Sequence, residues 1–126
     1  MLGCRPCYER CAGSWTVTIG AESTLADGVY EVVVTPEAGP PQEGVCTVSQ
    51  SGSSTECEGQ LRARGLDGAQ METSLEVEVH EVGSTQTHVL VIVDGTTVVE
   101  EMYPVEYEDN DSCNPHCRFA TVFVSL

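Results

Sequence analysis

The residues with the most distinctive chemistry in this chain are its cysteines, of which there are seven in 126 residues. A reducing cytosol does not normally retain so many thiols unless they bind metal, so their number favours an oxidising compartment and disulfide bonds. Because seven is an odd number, one cysteine is left without a partner in the chain. The cysteines are Cys4, Cys7, Cys11, Cys46, Cys57, Cys113 and Cys117.

Two of them lie on a predicted β-hairpin whose strands, residues 45–49 and 54–61, flank a polar tip. Pairing these strands across the tip brings Cys46 next to Cys57 with one step of offset, which is within reach of a disulfide bond. The side chains of the second strand alternate, and this places the bridge on the core side. Closing so short a loop is expected to stabilise the fold by about 3 kcal/mol.

The other cysteines lie towards the ends of the chain, and their spacing leaves the pairing open. We predict the local pairs Cys7 with Cys11 and Cys113 with Cys117. A cross-link between the N-terminal segment and the C-terminal loop is the alternative. We take Cys4 to be the cysteine that is left over.

The same terminal cysteines could instead bind zinc. Together with His116 they offer four or more soft ligands, and the CxxC spacing of the N-terminal segment is familiar in zinc sites. A structural zinc site prefers that spacing in both halves, whereas the C-terminal half spaces Cys113 and Cys117 with Pro115 inside the loop. Disulfides are therefore the favoured interpretation, and a metal-binding or redox module is the alternative function.

An acidic run in the same loop could gather Ca²⁺, because crowded carboxylates repel one another until a cation neutralises them. The run consists of Glu106, Glu108, Asp109 and Asp111. It does not follow the EF-hand pattern, since the sixth position from Asp109 is Asn114 instead of Gly and the twelfth is Ala120 instead of Glu. We therefore predict a solvated loop and no bound metal or cofactor, with Asp109, Asp111 and His116 as the alternative ligands.

Known catalytic patterns are missing from the sequence. It contains no GxSxG elbow, no HExxH pair and no lysine, so Schiff-base and P-loop chemistry are excluded. Glu100 and Glu101 are adjacent on a predicted strand and point to opposite faces, so they cannot act as a carboxylate pair. His80 lies beside Glu78 on the wet face of another strand, where a surface pair is expected. We predict that the protein is not an enzyme.

The charge of the chain is strongly unbalanced, with 20 Asp and Glu against 5 arginines and a net charge of −15. Such a surface repels phosphate backbones and anionic headgroups, so nucleic-acid binding and electrostatic docking on a membrane are disfavoured. Solubility is the simplest interpretation of this charge, and a cation or a basic partner is the alternative.

The segment around which the fold is organised is a predicted hairpin within residues 88–107. Asp94 and Gly95 suit the two positive φ angles of a type I′ turn. The register that follows pairs Val93 with Thr96, Val91 with Val98 and Val89 with Glu100. Because the first strand is apolar on both faces, it is expected in the middle of a sheet that is covered by a second layer.

The remaining strands are predicted from alternating apolar residues, and no helical stripe extends over ten or more residues. A loop is expected over residues 62–68 and a last strand over residues 119–126. The fold class is therefore all-β, an antiparallel β-sandwich of immunoglobulin-like or transthyretin-like shape with seven or eight strands over residues 14–126, after an N-terminal tether of residues 1–13. The inward residues are Trp15, Val17, Ile19, Tyr30, Val32, Val34, Leu75, Val77 and Val79.

Several short motifs resemble a group of small bacterial lipoproteins. They are residues 25–30 (LADGVY), the pair Cys46 and Cys57, the Asp94-Gly95 turn, and residues 113–120 (CNPHCRFA). The resemblance implies a single immunoglobulin-like β-domain in the cell envelope or outside the cell, and it carries no common activity or known partner.

A lipid anchor is the second part of that resemblance. Gly3 directly before Cys4 looks like the end of a lipobox, in which a small residue precedes the cysteine that is lipidated. The basic and apolar leader that should precede it is not part of the sequence. Either the true start lies upstream, or the leader has been removed, or the likeness is accidental. The expected function is thus that of a non-enzymatic, secreted or membrane-anchored envelope lipoprotein that acts as a structural or interaction module.

Overall fold

Ten β-strands make up most of the chain that the structure describes. A computed structural model describes residues 13–20, 25–49, 55–65, 72–81, 83–109 and 118–126. The strands are β1 (Ser14–Gly20), β2 (Gly28–Pro36), β3 (Gln42–Val48), β4 (Glu56–Gly59), β5 (Leu61–Gly65), β6 (Glu72–Val79), β7 (Gln86–Val93), β8 (Thr96–Pro104), β9 (Glu108–Asp109) and β10 (Arg118–Ser125).

The strands form two five-stranded sheets. Sheet A has the order β5-β6-β1-β10-β9 and sheet B the order β4-β3-β2-β7-β8. The predicted all-β sandwich is confirmed, but the described chain forms ten strands instead of seven or eight, and one pair of them is parallel. Within the described ranges there is no helix long and apolar enough to cross a membrane. β1 and β2 lie in different sheets, whereas the first two strands of a constant-type immunoglobulin domain share one.

The core lies between the sheets and is built from alternate residues of each strand. The predicted inward residues of β1, β2 and β6 are all buried, and Val89 and Val91 of β7 and Val122 and Val124 of β10 join them. A period of two is all that is needed to place these side chains on the inner face. Their burial provides most of the hydrophobic stabilisation of the fold.

The centre of sheet A contains the only parallel pair among the described strands. β1 runs parallel to β10, with Trp15 opposite Ala120 and Ile19 opposite Val124, and it runs antiparallel to β6 on its other side. The first and last of the described strands are therefore neighbours. Sequence periodicity does not contain this information, because it says which face is buried and not which strands pair.

The chain passes from one sheet to the other at a glycine corner. The prediction of one strand over residues 54–61 is wrong, because β4 belongs to sheet B and β5 to sheet A. The predicted loop at residues 62–68 is also wrong in its first part, since residues as far as Gly65 pair with β6. Gly59 turns the chain with a φ of 78°, and opposite it Gly44 leaves room for Leu61.

The β7–β8 hairpin has the predicted turn and a register that changes part of the way along. Asp94 and Gly95 have φ values of 50° and 83°, as a type I′ turn requires. Val93 pairs with Thr96 as predicted, but a β-bulge shifts the register between Val91 and Ile92. Val91 therefore faces Val99 instead of Val98, and Val89 faces Glu101 instead of Glu100.

Candidate functional site

The predicted disulfide between Cys46 and Cys57 is present, with the two sulfur atoms 1.99 Å apart. The two residues are directly opposite each other on β3 and β4, so the expected offset of one step does not occur. The Cys46 side chain is fully buried and Cys57 packs against the core, which keeps the bond on the inner side of sheet B.

The side chains of the other predicted site residues lie outside the described part of the chain. The backbone of Asp109 is described in β9, without its side chain. The positions that lie outside the described residues are Cys4, Cys7, Cys11, Asp111, Cys113, His116 and Cys117. The proposed lipid anchor, the terminal disulfides and the alternative metal ligands therefore stay predictions.

The two histidines of the described chain do not converge. His80 Nε2 lies 3.5 Å from a carboxylate oxygen of Glu78 on sheet A, where Arg62 approaches the same oxygen at 3.7 Å. His88 Nε2 lies 3.8 Å from Glu100 on sheet B. The side chains in these pairs are between 36% and 70% exposed, and His80 with Glu78 forms the predicted surface pair. Across the described ranges no three His, Cys, Asp or Glu side chains are placed to hold a metal ion.

The two sheets differ sharply in charge. The strands of sheet B contain six glutamates and no arginine or lysine, whereas those of sheet A contain three arginines beside five acidic residues. Five of the six glutamates point outwards. Each of them either alternates with buried residues along its strand or lies opposite an outward-pointing residue of the next strand. We call this outer surface of sheet B the acidic face; its glutamates are Glu31, Glu43, Glu56, Glu58 and Glu100.

Half-buried apolar side chains run through the middle of the acidic face. In one row across the sheet, Val33 and Leu90 lie side by side between Glu43 and Glu100. Three strand spacings separate the ends of this row, which places the two glutamate backbones about 14 Å apart. The row therefore presents an apolar centre with a carboxylate at each end.

The neighbouring row repeats this mixture of apolar and acidic residues. Val45 lies between Glu31 and Glu58, and Ile92 continues the row on β7. Between these two rows is a shallow, open depression of ≈ 400 Å³, which Glu31, Glu43 and Glu58 line together with Val33 and Val45. Like charges so close together give a local negative potential that attracts a cationic group from solution.

A second polar cluster, which the sequence did not predict, lies at one end of the sandwich around Glu81. The indole N–H of Trp15 donates to Glu81 Oε2 at 2.6 Å, and the backbone N–H groups of Gly83 and Ser84 donate to Oε1 at 2.5 and 3.0 Å. Burial raises the pKa of Glu81, but the hydrogen bonds from Ser84, Trp15 and Gly83 together outweigh it and hold the pKa below its ordinary value.

Ser84 connects this cluster to two further loops. Its buried hydroxyl accepts a hydrogen bond from the N–H of Ala38 at 2.9 Å, and its carbonyl oxygen accepts one from the Tyr107 hydroxyl at 2.8 Å. Thr85 donates through both its N–H and its hydroxyl to Glu37. The bonds of Ser84 satisfy polar groups of a fully buried residue, so its part of the cluster is structural in character.

A signal for part of this cluster is present in the sequence. A carboxylate followed by Gly and Ser two and three residues later suits a turn in which it accepts local N–H groups. The Trp15 partner is 66 positions away and could not be found in this manner.

No protein-family model matches the chain, and no curated protein matches it in sequence.

Proposed function

We propose that the protein is a non-enzymatic interaction module that is secreted or anchored in the cell envelope by a lipid on Cys4, and that its acidic face binds a basic segment of another protein. The observation that carries this proposal is the separation of charge between the sheets. Sheet B has six glutamates and no arginine or lysine in its strands, and its outer face combines carboxylates with apolar side chains.

The oxidised cysteine pair supports the proposed compartment. A disulfide bond such as that between Cys46 and Cys57 forms and persists where the surroundings are oxidising, as they are in the periplasm and outside the cell. The likeness of Gly3-Cys4 to a lipobox supports attachment to a membrane from that side.

The geometry of the acidic face supports the proposed chemistry of the partner. An extended segment with Lys or Arg two residues before and two residues after an apolar residue matches the row from Glu43 to Glu100, because side chains two positions apart share one face. Its two cations are about 14 Å apart and meet the terminal carboxylates, while its apolar residue covers Val33 and Leu90. Electrostatic attraction then speeds association and selects the sign of the partner, and the apolar contact adds area removed from water.

Three synthetic peptides of equal length test this proposal; they repeat Ser-Lys-Ser-Val, Ser-Glu-Ser-Val and Ser-Ser-Ser-Val, and we call them the Val-Lys, Val-Glu and Val-Ser peptides. We expect the Val-Lys peptide to bind, the Val-Glu peptide not to bind, and the affinity for Val-Lys to fall as the salt concentration rises. Titration calorimetry at several ionic strengths measures the affinity for each peptide. Equal binding of the Val-Lys and Val-Glu peptides would contradict the proposal.

A matched pair of triple variants locates the binding surface. E31Q/E43Q/E58Q removes three charges from the depression on sheet B, and E76Q/E78Q/E106Q removes three charges elsewhere. The net charge changes by the same amount in both variants. We therefore expect the first variant to bind the Val-Lys peptide about tenfold or more weakly than the second variant does. If both variants lose affinity to the same extent, the binding is nonspecific and the acidic face is not a site.

The lipid anchor is tested separately by labelling with radioactive palmitate in cells that express the gene with its upstream reading frame. We expect label on the parent protein and none on Cys4→Ser. An upstream frame without a basic and apolar leader, or labelling that survives the substitution, would disprove the anchor.

The alternative use of the terminal cysteines is tested by counting free thiols in denatured, unreduced protein. Disulfide pairing predicts almost none, or one if Cys4 carries no lipid. Five or more free thiols with stoichiometric zinc would instead establish the metal-binding alternative.

A further inference from the structure

Three of the sheet edges in the described chain carry features that discourage pairing with another strand. Charged side chains and bulges are the usual protection of an edge, since they oppose the approach of a second backbone. β8 and β5 each have a register shift against their neighbours. The charged residues on these edges are Glu56 and Glu58 on β4, Glu100 and Glu101 on β8, and Arg62 and Arg64 on β5.

The edge of β10 has none of these features. β9 pairs only with Arg118 and Phe119, and beyond Phe119 no described strand lies beside the outer edge of β10. Residues 120–126 (ATVFVSL) contain no charged side chain in a protein of net charge −15. Phe123 points outwards with 73% of its surface exposed.

A hydrogen bond on the β1 side of β10 shows which backbone groups of the strand point towards its outer edge. The N–H of Leu126 donates to the carbonyl of Gly20 at 2.9 Å, so the peptide groups of Leu126, Val124 and Val122 are directed towards β1. Successive residues of a strand direct their N–H and C=O groups to opposite sides. The N–H and C=O groups of Thr121, Phe123 and Ser125 therefore point away from β1.

We propose that this edge pairs with the same edge of a second copy of the chain, in an antiparallel arrangement with its two-fold axis at Phe123. Phe123 is then opposite its own counterpart and Thr121 is opposite Ser125, and each of these pairs exchanges two backbone hydrogen bonds. On the inner side Val122 meets Val124. The pairing joins the two copies of sheet A into one continuous sheet.

The register is selected by the backbone groups that point away from β1 and by the faces of the strand. A shift of one residue would place buried valines opposite exposed residues. A shift of two residues in one direction would require Phe119, which β9 already occupies, and in the other direction it would pass the end of the strand. Only the register centred on Phe123 lets Thr121, Phe123 and Ser125 all pair.

A second copy fits this edge in charge as well as in shape. Two chains of net charge −15 repel each other over most of their surfaces, and the acidic face would oppose contact most strongly. Residues 120–126 have no charged side chain. In the proposed pairing Phe123 contacts Phe123, Val122 contacts Val124, and Thr121 contacts Ser125 of the second copy. A basic peptide would gain nothing from this edge, whereas a second copy meets no like charge there.

Amide hydrogen exchange of the unsubstituted protein tests the pairing at increasing protein concentration. We expect the amides of Thr121, Phe123 and Ser125 to become protected as the concentration rises, while those of Val122 and Val124 are protected at every concentration by β1. Protection of all five amides even at high dilution would show that another segment of the chain covers the edge, and it would overturn the proposal.

Analytical ultracentrifugation of two lysine variants provides the second test. Phe123→Lys places two like charges together on the axis, and Val98→Lys makes the same change at a half-exposed position on β8. We expect a dimer for the parent and for V98K, and self-association at least about tenfold weaker for F123K. A monomeric parent at high concentration, or equal dimerisation of both variants, would overturn the proposal. If F123K fails to fold, the exchange pattern of the parent decides.

Discussion

The two sheets of this protein have the same number of strands and the same inner construction, but their outer sides are different. Inside, both follow the alternation of apolar residues and meet in one core. Outside, sheet B carries glutamates and no arginine or lysine in its strands, while the β10 side of sheet A is uncharged from residue 120 onwards. The difference shows that burial constrains only every second residue, which leaves the alternate positions free to acquire a binding role.

The same contrast explains why we assign different partners to the two sheets. Sheet B is suited to a partner of opposite charge and is unsuited to a second copy of itself. The β10 edge has backbone groups that no described strand pairs with and no charged side chain from residue 120 onwards, so it is suited to its own copy. Four sets of variants test this contrast between the sheets, and they follow in order of decreasing expected change in stability.

The largest effect is expected at the glycine corner that joins the sheets. A Cβ on Gly44 would lie 2.6 Å from Leu61 Cβ and 2.7 Å from the Glu58 carbonyl oxygen, so Gly44→Ala should cost about 3 kcal/mol. Gly59→Ala should cost nearly as much, because its Cβ would lie 2.6 Å from the Glu43 carbonyl oxygen. Urea unfolding of each variant measures the free energy.

Gly95→Ala is the matched control for that prediction. Its φ of 83° is similar to that of Gly59, but nothing lies within 4 Å of an added Cβ. It should cost only about 1 kcal/mol, from the left-handed backbone alone. Equal losses for Gly59→Ala and Gly95→Ala would mean that the close approach at the corner is unimportant.

The disulfide is the next largest contribution, and it lies within sheet B alone. C46A/C57A should lower the free energy of unfolding by about 2–3 kcal/mol, since the bond closes a short loop and the alanines leave a small void. Reducing the disulfide of the parent protein should lower its free energy of unfolding by a similar amount, although no void is created. A double variant as stable as the parent would contradict the prediction.

Glu81 connects the Trp15 end of sheet A to the loop that leads to sheet B, and it should make stability depend on pH. The pKa of Glu81 in the folded protein is lower than its ordinary value. Its contribution to the free energy of unfolding is therefore complete above the unfolded pKa and is lost as the pH falls through the folded pKa. Glu81→Gln should cost about 1–2 kcal/mol near neutral pH and less in acid.

Two further variants check the role of Glu81. Trp15→Phe keeps an aromatic ring in the core but removes the N–H group that donates to Glu81 Oε2. Its stability should therefore depend on acid pH less than that of the parent, but more than that of Glu81→Gln. Glu106→Gln removes a carboxylate from an exposed residue and should leave the acid dependence as it is in the parent. Urea unfolding across acid pH compares the three. An unchanged acid dependence in Glu81→Gln would contradict the assignment.

The smallest effects are expected on the two outer faces, and their signs should be opposite. E31Q/E43Q/E58Q relieves repulsion on the acidic face and should stabilise the fold by about 0.5 kcal/mol at low salt, with little effect at high salt. Glu78→Gln removes an exposed partner of Arg62 and should destabilise it by at most about 0.5 kcal/mol. Equal signs would show that the two faces do not differ electrostatically.

Local features of this fold could be predicted from the sequence. The inward residues of β1, β2 and β6 follow from a period of two, and the Asp94-Gly95 turn and the Cys46–Cys57 bond follow from short-range spacing. Each of these depends on residues that are close in the chain. The physical reasons for them act within a strand or a hairpin.

Features that depend on distant residues could not be predicted. The sequence from 54 to 65 reads as one strand and a loop, because the void that Gly44 offers to Leu61 becomes visible only when three strands are assembled. The extra residue at Val98 does not disturb the apolar alternation enough to reveal a bulge. The acidic face arises only after strands far apart in the chain are assigned to the same sheet, as β4 and β8 are.

The parallel neighbours β1 and β10 have a consequence for how the molecule is made. Most contacts of sheet B are between strands that follow one another, so its hairpins can form while the ribosome is still at work. β1 is produced first but must wait for β10, produced last, to complete its ladder. Sheet A of the nascent polypeptide therefore stays incomplete until the ribosome has synthesised β10.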